Sequence, residues 1–181
     1  MKQLIEVVKK VLSETDSFIH VLETGTIRVT DGSSRTHYST FKVAGELKAR
    51  GDLTSIDRDE GNIEFASKVC LEFSNIAWVH GESLKILPSL TQNYYDIFLI
   101  DSDNDAEHCL KEFLYGINLV KDGGYIVIDD AGLPIVNEDS LVHPVKGHAI
   151  FRHLQSRGKE EVIMSTTGYQ LVIKVKKDYL L

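Results

Sequence analysis

Acidic side chains recur in this chain directly behind short apolar runs. Glu23 follows FIHVL, Asp57 follows LTSI, and Glu82 with Ser83 follows IAWVHG. Asp101 and Asp103 close YYDIFLIDSD, and Asp129 and Asp130 close YIVIDD. A single carboxylate in a turn is ordinary. Acids gathered behind several buried runs repel one another and cost desolvation, so a merely structural edge has little reason to collect them. Such an edge suits a ligand with hydroxyls and positive charge.

Those acids need elements that bring them to one place. FIHVLE (18–23), LTSID (53–57), IAWVH (76–80), YYDIFLID (94–101) and YIVIDD (125–130) read as strands, the last two apolar enough to be buried on both faces. Helical spacing fills the gaps: 3–14 with Leu4, Ile5, Val8, Val11 and Leu12; 37–50, stopped at Gly51; and a helix capped by Asp59 with Ile63, Ala66, Val69, Cys70 and Phe73 inward. A short helix at 83–91 is bent by Pro88. The next runs from about 105 to 119 with Ala106, Cys109, Leu110, Phe113, Leu114 and Ile117 inward. KDGG (121–124) is a turn, 131–144 an irregular loop, and 145–157 a helix stopped at Gly158. EVIMST (161–166) and YQLVIKV (169–175) form a hairpin around Thr167-Gly168.

Alternating strands and helices predict a single α/β domain over 1–181, with an N-terminal helix at 1–16 and a core at 18–175. The sheet is doubly wound, Rossmann-like and mostly parallel, has a C-terminal antiparallel hairpin strand, and carries helices on both faces. In such sheets ligands bind beyond the strand C-termini at the switch point. The acids behind the apolar runs sit at that edge.

Composition narrows the partners. The chain has 181 residues, 43% of them hydrophobic, and a formal net charge of -7. The acidic balance argues against nucleic acid or an anionic membrane surface as partner. No apolar run is long enough to span a bilayer, and MKQLIEVVKK does not read as a signal peptide. Cys70 and Cys109 fall on helical faces and read as core, without zinc spacing. The expectation is a cytoplasmic protein.

The first loop sharpens the ligand. It lacks GxGxxG and opens with Glu23, which would repel a pyrophosphate. A ligand with an ammonium, a sulfonium and ribose hydroxyls, but no phosphate, fits better. Glu23 would help hold its amino-acid end, Gly25 would let the chain approach, Asp57 would accept the ribose hydroxyls, and Glu82-Ser83 would meet the adenine edge. That ligand is S-adenosylmethionine. VLETGT, HYST, SIDRD, VHGES, YDIFLIDSD and LVKDGGYIVIDD, in this order, resemble the class I S-adenosylmethionine-dependent methyltransferases from about residue 18 onward. IDSD and VIDD are most similar to the small-molecule O-methyltransferases of the catechol type. ETGTIR, PVKGHA and GYQ are similar to a less characterised bacterial branch.

The resemblance implies a cofactor site of Glu23, Gly25, Thr26, Ser39, Asp57, Arg58, Gly81, Glu82, Ser83, Asp101 and Ser102. It implies a divalent metal such as magnesium on Asp101, Asp129 and Asp130, and a small-molecule methyl acceptor. In the family, glycine usually stands where His37 does, a lysine base where Asn104 does, and asparagine where Asp130 does. Asp101 is the foremost catalytic candidate, because a buried strand delivers it to the switch point. Candidate bases or substrate anchors are His143, Lys146, His108 and His148. The segment IRVTDGSSRT (27–36) is expected to be a flap that brings Arg28 or Arg35 to a ligand. With little chain outside the core fold, the substrate pocket must be walled by the N-terminal helix, the 26–37 loop, the 131–144 loop or a neighbouring subunit, and the last of these gives the expectation of a homodimer. Two other readings remain: a cofactor-binding module without catalysis, and a nucleotide-linked oxidoreductase or transferase.

Overall fold

The computed structural model describes residues 2–28, 38–129, 131, 146–159, 163–165 and 170–180. Its seven strands are β1 (Ile19–Thr24), β2 (Gly51–Asp57), β3 (Ile76–His80), β4 (Tyr95–Ile100), β5 (Val120–Ile128), β6 (Ile163–Ser165) and β7 (Leu171–Lys174). They form one sheet in the order β3-β2-β1-β4-β5-β7-β6, parallel except for β7. The helices are α1 (Lys2–Glu14), α2 (Ser39–Leu47), α3 (Glu60–Val69), α4 (Ser83–Ile86), α5 (Ala106–Leu119), α6 (Lys146–Ser156) and α7 (Lys177–Leu180). The predicted doubly wound fold with its closing hairpin is the observed one. Residues 166–169, with the expected hairpin turn, lie outside the described residues.

Strand periodicity explains the layering. Ile97 and Leu99 of β4, with Tyr125 and Val127 of β5, face a core shared with Leu4, Val8, Val43 and Leu47 of α1 and α2. Their neighbours Phe98, Ile100, Ile126 and Ile128 face the opposite core, shared with Phe113, Ile117, Ile150 and Leu154 of α5 and α6. Helices this short are marginal alone, whereas each fully buried Leu, Ile or Phe contributes about 1.5–3 kcal/mol, so packing on the sheet holds them.

Four local expectations are corrected. The helical run before Gly51 is not one helix: α2 ends at Leu47, Lys48 (φ 48°) begins a 3-10 turn over Lys48–Arg50, and Gly51 ends that turn in extended conformation and opens β2. KDGG does not end the preceding element as a free turn. Val120 already pairs with Tyr95, and a register shift lets residues 121–124 bulge before Tyr125 pairs with Ile97. Leu114 is 40% exposed, because the buried stripe of α5 runs Cys109, Glu112, Phe113, Gly116, Ile117. Of the α3 face, only Ala66 within the helix is buried, with Cys70 just beyond it.

The parallel ladder aligns the strand ends. Gly25 N donates to Ile56 O, Gly81 N to Asp57 O, Asp101 N to Thr24 O, and Asp129 N to Ile100 O, all at 2.8–3.1 Å. Each bond extends the ladder one residue past a strand. Gly25, Gly81, Asp101 and Asp129 therefore stand along one edge, on both sides of the β1/β4 switch point.

Candidate functional site

Gly25 makes the tightest turn at this edge. Its φ is +83°, and a Cβ there would lie 2.3 Å from Asp101 O. The backbone leaving β1 therefore crosses directly over the end of β4, a path only glycine allows. Beside it opens a cavity of about 340 Å³. Gly25 and Arg28 contribute from the first loop, Asp57, Arg58 and Asp59 from the end of β2, and Asn62 from α3. Gly81, Glu82 and Ser83 contribute from the end of β3, and Ser102, Asp103, Asn104 and His108 from the β4–α5 connection.

Asp57 is the best-fixed group in this wall. It is nearly buried, and both carboxylate oxygens are held: Oδ2 accepts from Thr26 N at 3.0 Å and Oδ1 from Asp59 N at 2.8 Å. Each oxygen keeps acceptor capacity beyond these bonds. Arg58 reaches across to Asp103 at 3.5 Å, and this pair, with Arg58 64% exposed, is worth under about 1 kcal/mol. It spans the cavity rim without locking it. The backbone N–H of Asp105 holds the Asp103 carboxyl below its ordinary value, against burial, with the charges of His108 and Arg58 and the backbone N–H of Asn104 adding to it.

Glu23 sits elsewhere. It is fully buried and accepts from Ser39 Oγ at 2.9 Å, Thr40 Oγ1 at 2.8 Å and Ser55 Oγ at 2.7 Å. The wall formed by described residues includes neither Glu23 nor Ser39, whose hydroxyl turns to Glu23. Thr26 likewise turns inward, its hydroxyl 3.4 Å from that of Thr40. These three residues brace β1, α2 and β2 together.

Burial pushes the Glu23 carboxyl up to about 7, against the pull of its three hydroxyl donors, with the Asp101 charge adding a smaller push. The folded-state value lies above the unfolded one. The stability linked to Glu23 is therefore full below about pH 4.5 and is lost as pH rises through about 7. The shift corresponds to about 3 kcal/mol. Glu23→Gln removes this titration. Urea denaturation at pH 5 and pH 8 should show the wild type losing more stability than the variant by an amount of that order. Parallel losses in the two proteins contradict the assignment.

Asp101 and Asp129 follow adjacent strands, and both are half-buried. Asp129 Oδ1 accepts from Gln170 Nε2 at 2.9 Å, and Gln170 Oε1 accepts from Leu4 N at 3.1 Å, which ties the β5 end to α1. Asp130 lies outside the described residues. Among the described residues no three His, Cys, Asp or Glu side chains converge as a metal site.

His108 lines the cavity, but its Nε2 is turned to Ser83 Oγ (3.1 Å) and Glu112 Oε1 (3.3 Å). The bond to Glu112 raises the imidazole above its ordinary value, against burial. His148, on α6, is held below its ordinary value by burial and by Arg152. The first turn of α6 sits against the end of β5, since a Cβ on Gly147 would lie 2.6 Å from Ala131 Cβ. Lys146 opens this helix, while His143, Arg35, His37 and most of the expected flap and loop lie outside the described residues.

Glu112 was not foreseen. It is fully buried on α5 and accepts from Ser102 Oγ at 2.8 Å and Thr24 Oγ1 at 3.3 Å. Its position three residues after Cys109 and four before Gly116 was the available signal, because it falls on the apolar stripe.

A family described as a methyltransferase domain matches residues 22–131. Three solved structures resemble the chain. The O-methyltransferase TomG from Streptomyces achromogenes, involved in tomaymycin synthesis and solved with SAM, is 21% identical at TM-score 0.67, over 96% of this chain and 80% of that one. A putative O-methyltransferase from Klebsiella pneumoniae is 20% identical at TM-score 0.67, over 97% and 80%. An O-methyltransferase from Bacillus cereus solved with SAH is 18% identical at TM-score 0.65, over 96% and 80%. At this identity the structures establish the shared fold. No curated protein matches the chain significantly.

Proposed function

This chain belongs to the methyltransferase domain family, and we propose that it transfers the methyl group of S-adenosylmethionine to an oxygen of a small molecule. The observation that carries this reading is Asp57, a carboxylate fixed by two backbone N–H groups in the wall of a cavity at the switch point. Its remaining acceptor capacity suits the two hydroxyls of a ribose. Ser83, Glu82 and Ser102 offer hydrogen bonds to a purine, and Gly25 and Arg28 border the side where an amino-acid group would lie. The absence of a phosphate-gripping glycine turn favours this ligand over NAD or a nucleotide sugar.

When bound, the cofactor supplies a methyl group already activated by its sulfonium. The protein must then orient the acceptor and take its proton. We assign the proton to the Asp101 carboxylate. The contacts of His108 Nε2 with Glu112 and Ser83 favour Asp101 over His108 for this role. Were a divalent ion held by Asp101, Asp129 and Asp130, it would take over this role by acidifying the acceptor hydroxyl, with Asp101 as its ligand instead of the base. Among the described residues no helix is long and apolar enough to cross a membrane, in keeping with a cytoplasmic enzyme. We place it there as a homodimer, a state that a monomer mass by light scattering would refute.

The test is transfer of labelled methyl from S-adenosylmethionine to a panel of phenols and aliphatic alcohols, with magnesium and with chelator. The expected result is labelled product with at least one acceptor, and a fall of about 100-fold or more in kcat for Asp101→Asn. Tight S-adenosylhomocysteine binding with no transfer to any acceptor would instead make the chain a binding module. Loss of activity on chelation, restored by magnesium, is the result that supports the metal.

A further inference from the structure

Two groups of the cavity wall, the Ser102 hydroxyl and the His108 imidazole, converge with the buried Thr24 hydroxyl on one carboxylate outside it. Glu112 accepts from Ser102 Oγ through Oε1 and from Thr24 Oγ1 through Oε2, and its Oε1 lies 3.3 Å from His108 Nε2. The same Nε2 lies 3.1 Å from Ser83 Oγ. Glu112 is fully buried and Ser83 nearly so. A buried carboxylate is stable only when its oxygens are hydrogen-bonded. With donors on both oxygens Glu112 acts as acceptor, which places the proton of the His108 contact on Nε2. Ser83 Oγ is within hydrogen-bond distance of the same Nε2, so with the proton on Nε2 it is Ser83 that accepts there. Its own hydroxyl hydrogen is then left to donate elsewhere, and the cavity is where it can do so.

We propose that His108 and Glu112 are a positioning pair that fixes Ser83 as a hydrogen-bond donor into the cofactor cavity and so selects a ligand presenting an acceptor there, such as an unprotonated ring nitrogen of a purine. This rests on the proposed adenosyl ligand. It assigns His108 a role other than base and gives Glu112 its first role. The pair acts through Ser83: neither residue needs to transfer a proton, and Glu112 does not reach the cavity.

A double-mutant cycle read by calorimetry with S-adenosylhomocysteine tests the proposal. Ser83→Ala is expected to weaken binding about tenfold, the value of one hydrogen bond made in a buried site. His108→Phe alone should cost about the same factor, and the double variant no more than either single one, since both remove the same donated bond. His108→Gln keeps an N–H donor on a side chain of similar reach and should restore most of the affinity. In turnover, KM for S-adenosylmethionine should rise while kcat stays within about twofold, whereas loss of a base lowers kcat. Thermal melts of each variant show that the fold is retained, and the glutamine variant covers the case in which phenylalanine disturbs it. Losses that multiply to about a hundredfold in the double variant overturn the proposal, as does a His108→Phe variant that binds like wild type. Failure of the wild type to bind S-adenosylhomocysteine at all overturns the adenosyl reading itself, a distinct outcome.

Discussion

Gly25→Ala is expected to unfold more readily than wild type by about 3 kcal/mol or more and to lose cofactor binding. Two costs add. A non-glycine residue at φ +83° pays backbone strain of about 1–2 kcal/mol. The new Cβ would also sit 2.3 Å from Asp101 O, 2.6 Å from Asp101 C and 2.8 Å from Ser102 Cα. All three are backbone atoms, so no rotamer change relieves the clash. Either the first loop or the β4 end must move, and Gly25 and Ser102 both line the cavity. Gly123 provides the control. Its φ is +80°, but a Cβ there meets nothing within 4 Å. Gly123→Ala should cost only the strain, about 1–2 kcal/mol, and leave binding intact. Urea denaturation and S-adenosylhomocysteine titration of both variants separate the terms. Equal behaviour of the two would mean that the close approach over Asp101 is unimportant.

Asp57→Ala should weaken S-adenosylhomocysteine binding by at least about 100-fold. Hydrogen bonds to a charged group are worth about 1.5–3 kcal/mol each, and a ribose offers two hydroxyl donors. The substitution also strips Thr26 N and Asp59 N of their acceptor, so the adjoining loops loosen. Asp57→Asn separates these effects. It preserves the shape, but its amide nitrogen must oppose one of the two backbone N–H groups. It should therefore bind weakly as well, while melting closer to wild type than the alanine variant does. A loss of less than about fivefold in both variants would remove Asp57 from the ligand site.

The strand ends were legible in the sequence because their cause is local. YDIFLI and YIVI alternate between two buried faces, and a buried parallel strand must deliver whatever residue follows it to the sheet edge. Asp57, Glu82, Ser83 and Ser102 reached the cavity for that reason. What was not legible depends on contacts between distant segments. Glu23 looks like a ligand contact at a strand end, yet Ser39, Thr40 and Ser55 arrive from α2 and β2 and enclose it. Glu112 falls on the apolar stripe of α5, but the partners that make its burial possible, Ser102, Thr24 and His108, come from other segments or the turn above. Leu114 was assigned inward by its type, although the stripe set by Cys109, Phe113 and Gly116 turns it outward. KDGG carries turn residues, and the sequence does not show that β7 follows alongside: Gly123 N donates to Val175 O, and Val175 N to Gly124 O.

The central claim is that the cavity at the β1/β4 switch point holds S-adenosylmethionine. Calorimetric titration of the wild-type chain with S-adenosylhomocysteine tests it most directly, with NAD titrated alongside and magnesium present in both. One saturable site per chain for S-adenosylhomocysteine, lost in Asp57→Ala, and no heat from NAD is the predicted result. No binding of S-adenosylhomocysteine at about millimolar concentration, or preferential binding of NAD, would contradict it.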